Sequence, residues 1–156
     1  MLLVRELILQ SERTTEKSFP LNATTQIAPV SPGRTAAATV ASLVLPGLGH
    51  VVLGRAVRGV VIFVSIAMMF GLGFWMKGHL FRPEPGEWLT YLFTFCNLGV
   101  GVPYFICNLL GFGFELAKDQ PAVITYEYGN TFLLVSGLLN YLAMLDAFDI
   151  AVGRKG

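Results

Sequence analysis

The residues able to do chemistry are few, and most sit inside apolar sequence. His50 follows Pro46-Gly47-Leu48-Gly49 in an otherwise hydrophobic run. A lone imidazole there could ligate haem iron or a chlorophyll magnesium through a ring nitrogen. The competing reading is a hydrogen bond to backbone loosened by the Pro-Gly break. No second histidine lies at helical spacing, and His79, beside Lys77, reads as an interfacial anchor. Asp146 and Asp149 are three apart, so a helix places both carboxylates on one face. Such a pair could hold Mg²⁺ for a lipid-modifying phosphotransfer. No Gly-rich phosphate loop accompanies them, however, and an interfacial charge pair is the simpler expectation. Arg55 and Arg58 share the same spacing. They suit a lipid phosphate or a partner subunit's carboxylate, or a snorkelling loop that only sets topology.

Asn97, Asn108 and Asn140 are amides within apolar sequence, where polar groups need partners. They are expected to hydrogen-bond between helices as structural glue. Cys96 and Cys107 read as small packing residues, with neither a disulfide framework nor a metal knuckle implied. Ser42, Ser65 and Ser136 lack a Gly-x-Ser-x-Gly context. The pattern therefore predicts no catalytic residue, no metal site and no enzyme activity.

Only 13% of the 156 residues are charged and 54% are hydrophobic. Soluble domains run nearer a quarter charged, so the chain is expected in a membrane. A net charge of +1 gives no basic face for nucleic acid. The positions above must be carried by apolar segments of about 20 residues each, and the spacing predicts an all-α integral membrane protein with about four transmembrane helices. Segment one, 36–53, is just long enough to cross. Pro46 removes a donor and crowds the carbonyl of Ser42, so a kink is expected there, with a hydroxyl, water or a neighbouring helix taking the freed group. Pro46, Gly47 and Gly49 form a break suited to close helix packing. Segment two, 56–76, carries a small-xxx-small pair, Ala67 and Gly71. Segment three, 88–117, is too long for one straight span and is broken at Gly99, Gly101 and Pro103. It is either one kinked helix or a re-entrant hairpin. The recurrence of Cys96-Asn97-Leu98 as Cys107-Asn108-Leu109 favours the kinked helix, which stacks both pairs on one face. The link 118–128 reads as interfacial extended chain, and segment four covers 130–152.

Residues 1–35 form an N-terminal tail, largely extended with a short amphipathic start and no clean signal-peptide cleavage site. Residues 36–156 form the four-helix transmembrane domain. Four crossings group Lys17, Arg34, Lys77, Arg82, Arg154 and Lys155 on one side, against Arg55, Arg58 and Lys118 on the other. That bias predicts both termini in the cytoplasm of a multi-pass protein.

Pro46-Gly47-Leu48-Gly49-His50, Leu53-Gly54-Arg55 and Arg58-Gly59 resemble the opening hairpin, PGxGHxxLGRxxRG, of an uncharacterised family of bacterial polytopic membrane proteins. Gly137 to Asn140, Leu145-Asp146-Ala147 and Asp149 to Lys155 look like that family's close, so the resemblance covers about residues 36–155. The hairpin is also distantly similar to the two-transmembrane domain, although the acidic Asp-Arg-Phe signature of that domain is missing. The resemblance implies a bacterial inner-membrane location and carries no activity with it.

The function expected from these features is a non-catalytic accessory or structural subunit of a larger membrane complex, an energy-transducing one being the host considered first. Glycine and asparagine faces would dock helices, while Arg55, Arg58, Asp146 and Asp149 pair at the rims. Partners would be other membrane subunits and lipid. The alternative is a small homo-oligomeric transporter or lipid-binding protein that uses the broken segments as a central path.

Overall fold

A computed structural model describes residues 31–115 and 122–155. The expected tail through residue 30, and positions 118–121 of the expected interfacial link, lie outside the described residues. All described regular structure is helical: α1 (Pro32–Val44), α2 (Leu48–Val52), α3 (Ala56–Trp75), α4 (Trp88–Leu98), α5 (Val102–Leu110) and α6 (Tyr126–Ala151). Of these, α3 and α6 are long and apolar enough to cross a membrane. At 1.5 Å per residue they reach about 30 and 39 Å.

Segment one does not form a single helix of spanning length. Pro32 opens α1 at a position where a missing N–H costs nothing. The helix ends at Val44, and Leu45 is extended. Gly47 takes a left-handed φ of 77°, and a Cβ there would collide with the carbonyl of Gly59. With a proline that cannot donate and a glycine free to reverse, the chain folds back instead of kinking. α2 then returns along α1. Gly49 lies so close that a side chain would strike Ser42 Oγ and the Ala38 carbonyl. The Arg34 guanidinium donates to the Val52 carbonyl at 3.0 Å, tying the two arms at their base.

Segment three behaves alike from the other end. α4 and α5 are bent by 118° across Gly99-Val100-Gly101. α5 finishes beside the chain that led into α4: Arg82 Nε donates to Asn108 Oδ1 at 3.0 Å, Leu80 N to the Gly113 carbonyl at 2.7 Å, and Tyr104 OH to the Phe81 carbonyl at 3.1 Å. The continuous helix favoured by the Cys-Asn-Leu recurrence is not formed, and the fold-back of α5 onto the chain before α4 fits the re-entrant form. The two asparagines accordingly part company, Asn97 enclosed and Asn108 exposed.

α3 and α6 run antiparallel as the central pair. Gly73 and Gly78 meet Gly129 at one end, while Arg58 meets Asp146 at the other. Four crossings would have separated Lys155 from Arg58. Because both broken segments return to the end they entered, Arg34, Arg55, Arg58, Arg154 and Lys155 instead share one end of the bundle. α6 also starts earlier than expected. Tyr126 to Tyr128, read as extended chain, are helical, because packing of Gly129 and the bond from His79 N to Asn130 Oδ1 at 2.8 Å fix the first turn.

The packing is inverted relative to a water-soluble domain. Ser42, His50, Asn97, Ser136 and Asn140 are fully enclosed, whereas Val57, Trp75, Leu109 and Ile124 are more than four-fifths exposed. Apolar side chains outside and polar groups within are what hydrocarbon selects and water penalises. Together with two helices of spanning length, this fits a membrane protein.

Candidate functional site: the hairpin seam and the charged end

The turns of the two hairpins meet in the interior. Gly101 is packed so closely that a Cβ would run into the carbonyls of Leu43 and Val44, at the tip of α1. Asn140, on α6, closes the seam. Its Nδ2 donates to the Ser42 carbonyl at 2.9 Å and to the Gly99 carbonyl at 2.8 Å. Both carbonyls belong to backbone that the breaks had loosened, and Ser42 is the residue whose carbonyl Pro46 leaves free. A buried carbonyl without a donor costs about 1–3 kcal/mol, so one amide satisfies both hairpins at once.

Helix approach around this clasp is set by glycine. A Cβ on Gly137 would strike the Cys96 carbonyl, and one on Gly99 the Gly137 carbonyl. One turn along, Tyr141 OH donates to the Phe95 carbonyl at 2.9 Å, with the two rings stacked at 4.9 Å. Several enclosed polar atoms beside the seam have no partner among the described residues: Ser42 Oγ, Thr94 Oγ1, Asn140 Oδ1, and Oδ1 and Nδ2 of Asn97.

The charged end is a second cluster, built by α2, α3 and α6. Asp146 Oδ2 lies 3.1 Å from His50 Nε2 and 3.6 Å from Arg58 Nη1, while Oδ1 accepts from Lys155 Nζ at 2.9 Å. His50 is fully enclosed, and its Nδ1 has no partner. Asp149 stands further out, 3.5 Å from Arg154 and 4.0 Å from Lys155. The hydrogen bond and charge of Asp146 hold the Lys155 ammonium above its ordinary range. At the opposite end, burial pulls the His79 imidazole below its usual value, opposed by a bond to the Phe114 carbonyl at 3.0 Å and by the charge of Glu84.

The expected site residues thus fall into separate places. Pro46, Gly47, Gly49, Asn97 and Asn140 gather at or beside the seam, and Arg58 joins His50 and Asp146 at the charged end. Asp149 borders that cluster without touching His50. Arg55 caps α3 with no ion-pair partner among the described residues. Asn108 sits apart on Arg82. Sequence reasoning missed Gly137, Tyr141 and Asn130 as contact makers. For Gly137 the signal present was a lone glycine in an apolar helix. Among the described residues no three His, Cys, Asp or Glu side chains are grouped to hold a metal ion.

No curated protein and no solved structure is detectably similar to the chain. One family model matches residues 37–156, a stretch that contains the second hairpin, all but the first turn of the first, the Asn140 clasp and the His50–Asp146 cluster. The chain belongs to that family, a family of unknown function (DUF6677).

Proposed function

We propose that the chain is an accessory or structural subunit of a larger membrane complex, embedded by α3 and α6 and braced by two re-entrant hairpins. The observation that carries this reading is an open apolar groove of about 160 Å³ directly over the first hairpin's turn, bordered by Leu45, Leu48, Val51, Val60 and Phe63. Irregular backbone at hydrocarbon depth is tolerated where protein covers it. A neighbouring subunit's helix seated in the groove would supply that cover. Ala67 and Gly71, the small-residue pair of α3, face away from the bundle and leave a second flat approach for a helix. Among the described residues, five cations at one end against Lys77 and Arg82 at the other support a bacterial inner-membrane protein with its C-terminus in the cytoplasm.

Gentle solubilisation of the full chain tests this. Co-migration with another membrane subunit at fixed stoichiometry, abolished by Val60→Arg in a chain that still folds, is the expected result. Migration alone at the mass of one chain, or a complex that survives Val60→Arg, contradicts it.

A second reading is favoured by the enclosed, unpartnered amide of Asn97 beside two meeting hairpin turns. Discontinuous helices line substrate sites in many transporters. Solute flux in liposomes that disappears with Asn97→Leu would move the assignment to transport.

A further inference from the structure

We propose that the N-terminal end of α3 binds one anionic phospholipid, its phosphate held by Arg55 and Arg58 and one acyl chain laid in the groove between α3 and α6. This goes beyond the subunit reading, which requires no particular lipid.

The start of α3 lacks everything that normally satisfies a helix N-terminus. Arg55, the N-cap, makes no side-chain cap bond, and no acidic residue lies in the first turn. The free N–H groups and the positive end of the helix dipole call for an anion. The chain supplies two further positive charges instead, which is unfavourable unless an anion comes from outside. Asp146 answers Arg58 only in part, since its oxygens are shared with Lys155 at 2.9 Å and His50 at 3.1 Å. Arg58 reaches it only at 3.6 Å and remains half exposed. With Arg34, Arg154 and Lys155 nearby, five cations face two carboxylates among the described residues at this end, Asp146 and Asp149.

The shape specifies an amphiphile. A shallow site of about 720 Å³ contains Arg55 and Arg58 and is floored by Val61 and Ile62. Those two residues also begin a largely apolar groove of about 320 Å³ that continues along Ser65, Ile66, Leu139 and Leu142, with the Asp146 carboxylate, already paired to Lys155, on its wall. A phosphate at the arginines therefore leads directly into a channel for a hydrocarbon chain. A free phosphate would use the first part only.

The test uses the full-length chain in neutral detergent. Retained phosphatidylglycerol and phosphatidylcholine are compared by native mass spectrometry, with glycerol phosphate as the soluble competitor. A basic side chain near a membrane surface is worth about 1 kcal/mol, so each arginine should contribute about fivefold to retention. Phosphatidylglycerol should outcompete phosphatidylcholine. Arg55→Gln/Arg58→Gln should reduce its retention by an order of magnitude. Val61→Trp, which fills the shared floor and leaves both arginines in place, should reduce it as well. Equal retention of both lipids, full displacement by glycerol phosphate, or unchanged retention in the double variant each overturns the proposal. The thermal midpoint of each variant, measured alongside, separates loss of the site from loss of the fold.

Discussion

Asn140 Nδ2 donates to the carbonyl of Ser42 from 98 positions along the chain, and Ser42 is the residue whose carbonyl Pro46 strips of its helical partner. The same nitrogen holds Gly99, at the break of the second hairpin. A defect in local helix geometry has thereby become the point at which two hairpins are joined to a spanning helix.

Replacing Asn140 by Leu should strand both carbonyls in the interior. The expected loss is roughly 1–3 kcal/mol, small for two buried groups because membrane polar groups find other partners when unfolded. Asn140→Asp, which turns an enclosed carboxyl toward the same two carbonyls, should lose at least as much. Asn108→Ala, at an exposed edge, should change stability by no more than about 0.5 kcal/mol. Thermal or denaturant unfolding in detergent micelles measures all three.

Gly137→Leu should prevent α4 from reaching α6, because even a Cβ at this position meets the Cys96 carbonyl. Overpacking of this kind costs about 1–3 kcal/mol, and backbone cannot yield as a side chain can. The variant is expected to aggregate or unfold early in size-exclusion chromatography. Gly71→Leu, with open space around it, should elute as the parent does.

The two late aspartates should separate cleanly. Asp146→Ala removes the hydrogen-bond partner of the enclosed His50 Nε2 and is expected to cost about 1–3 kcal/mol. Asp149→Ala disturbs exposed ion pairs alone and should cost no more than about 1 kcal/mol. Unfolding midpoints of the two variants at one pH decide this.

Acid should loosen the connection after α3. His79 titrates below its ordinary value in the folded chain, chiefly because burial disfavours the charged ring. The unfolded chain then binds the proton more readily, so this contribution is complete above about pH 6.5 and is lost as pH falls through the folded value. Stability measured at neutral pH and near pH 5 should fall on acidification, and His79→Gln should flatten part of that dependence. An unaltered slope in the variant would assign the effect elsewhere.

Much of this architecture was legible in the residues and part was not, for a definite reason. The apolar run of α3 announced itself, and residues 56–76 became Ala56–Trp75. Pro46 and the Gly99-to-Pro103 cluster marked both breaks, since these residues act through local geometry. Whether the chain continues or reverses after a break is not local. It depends on Asn140 meeting Ser42 and Gly99, and on Gly49 and Gly101 meeting backbone far along the sequence. The 11-residue recurrence of Cys-Asn-Leu presumed an unbroken helix and so misled. Arg58, Asp146 and Lys155 were visible as rim charges. Their convergence on one end followed only once the second hairpin turned back.

Sidedness tests that reversal most directly. In a chain carrying Cys96→Ala and Cys107→Ala, single cysteines at Arg55, Glu84 and Lys155 can be labelled with a membrane-impermeant maleimide in oriented vesicles. Arg55→Cys and Lys155→Cys should react from the same face and Glu84→Cys from the opposite one. Labelling of Arg55→Cys and Lys155→Cys from opposite faces would restore a crossing in the α4–α5 segment and contradict its re-entrant form.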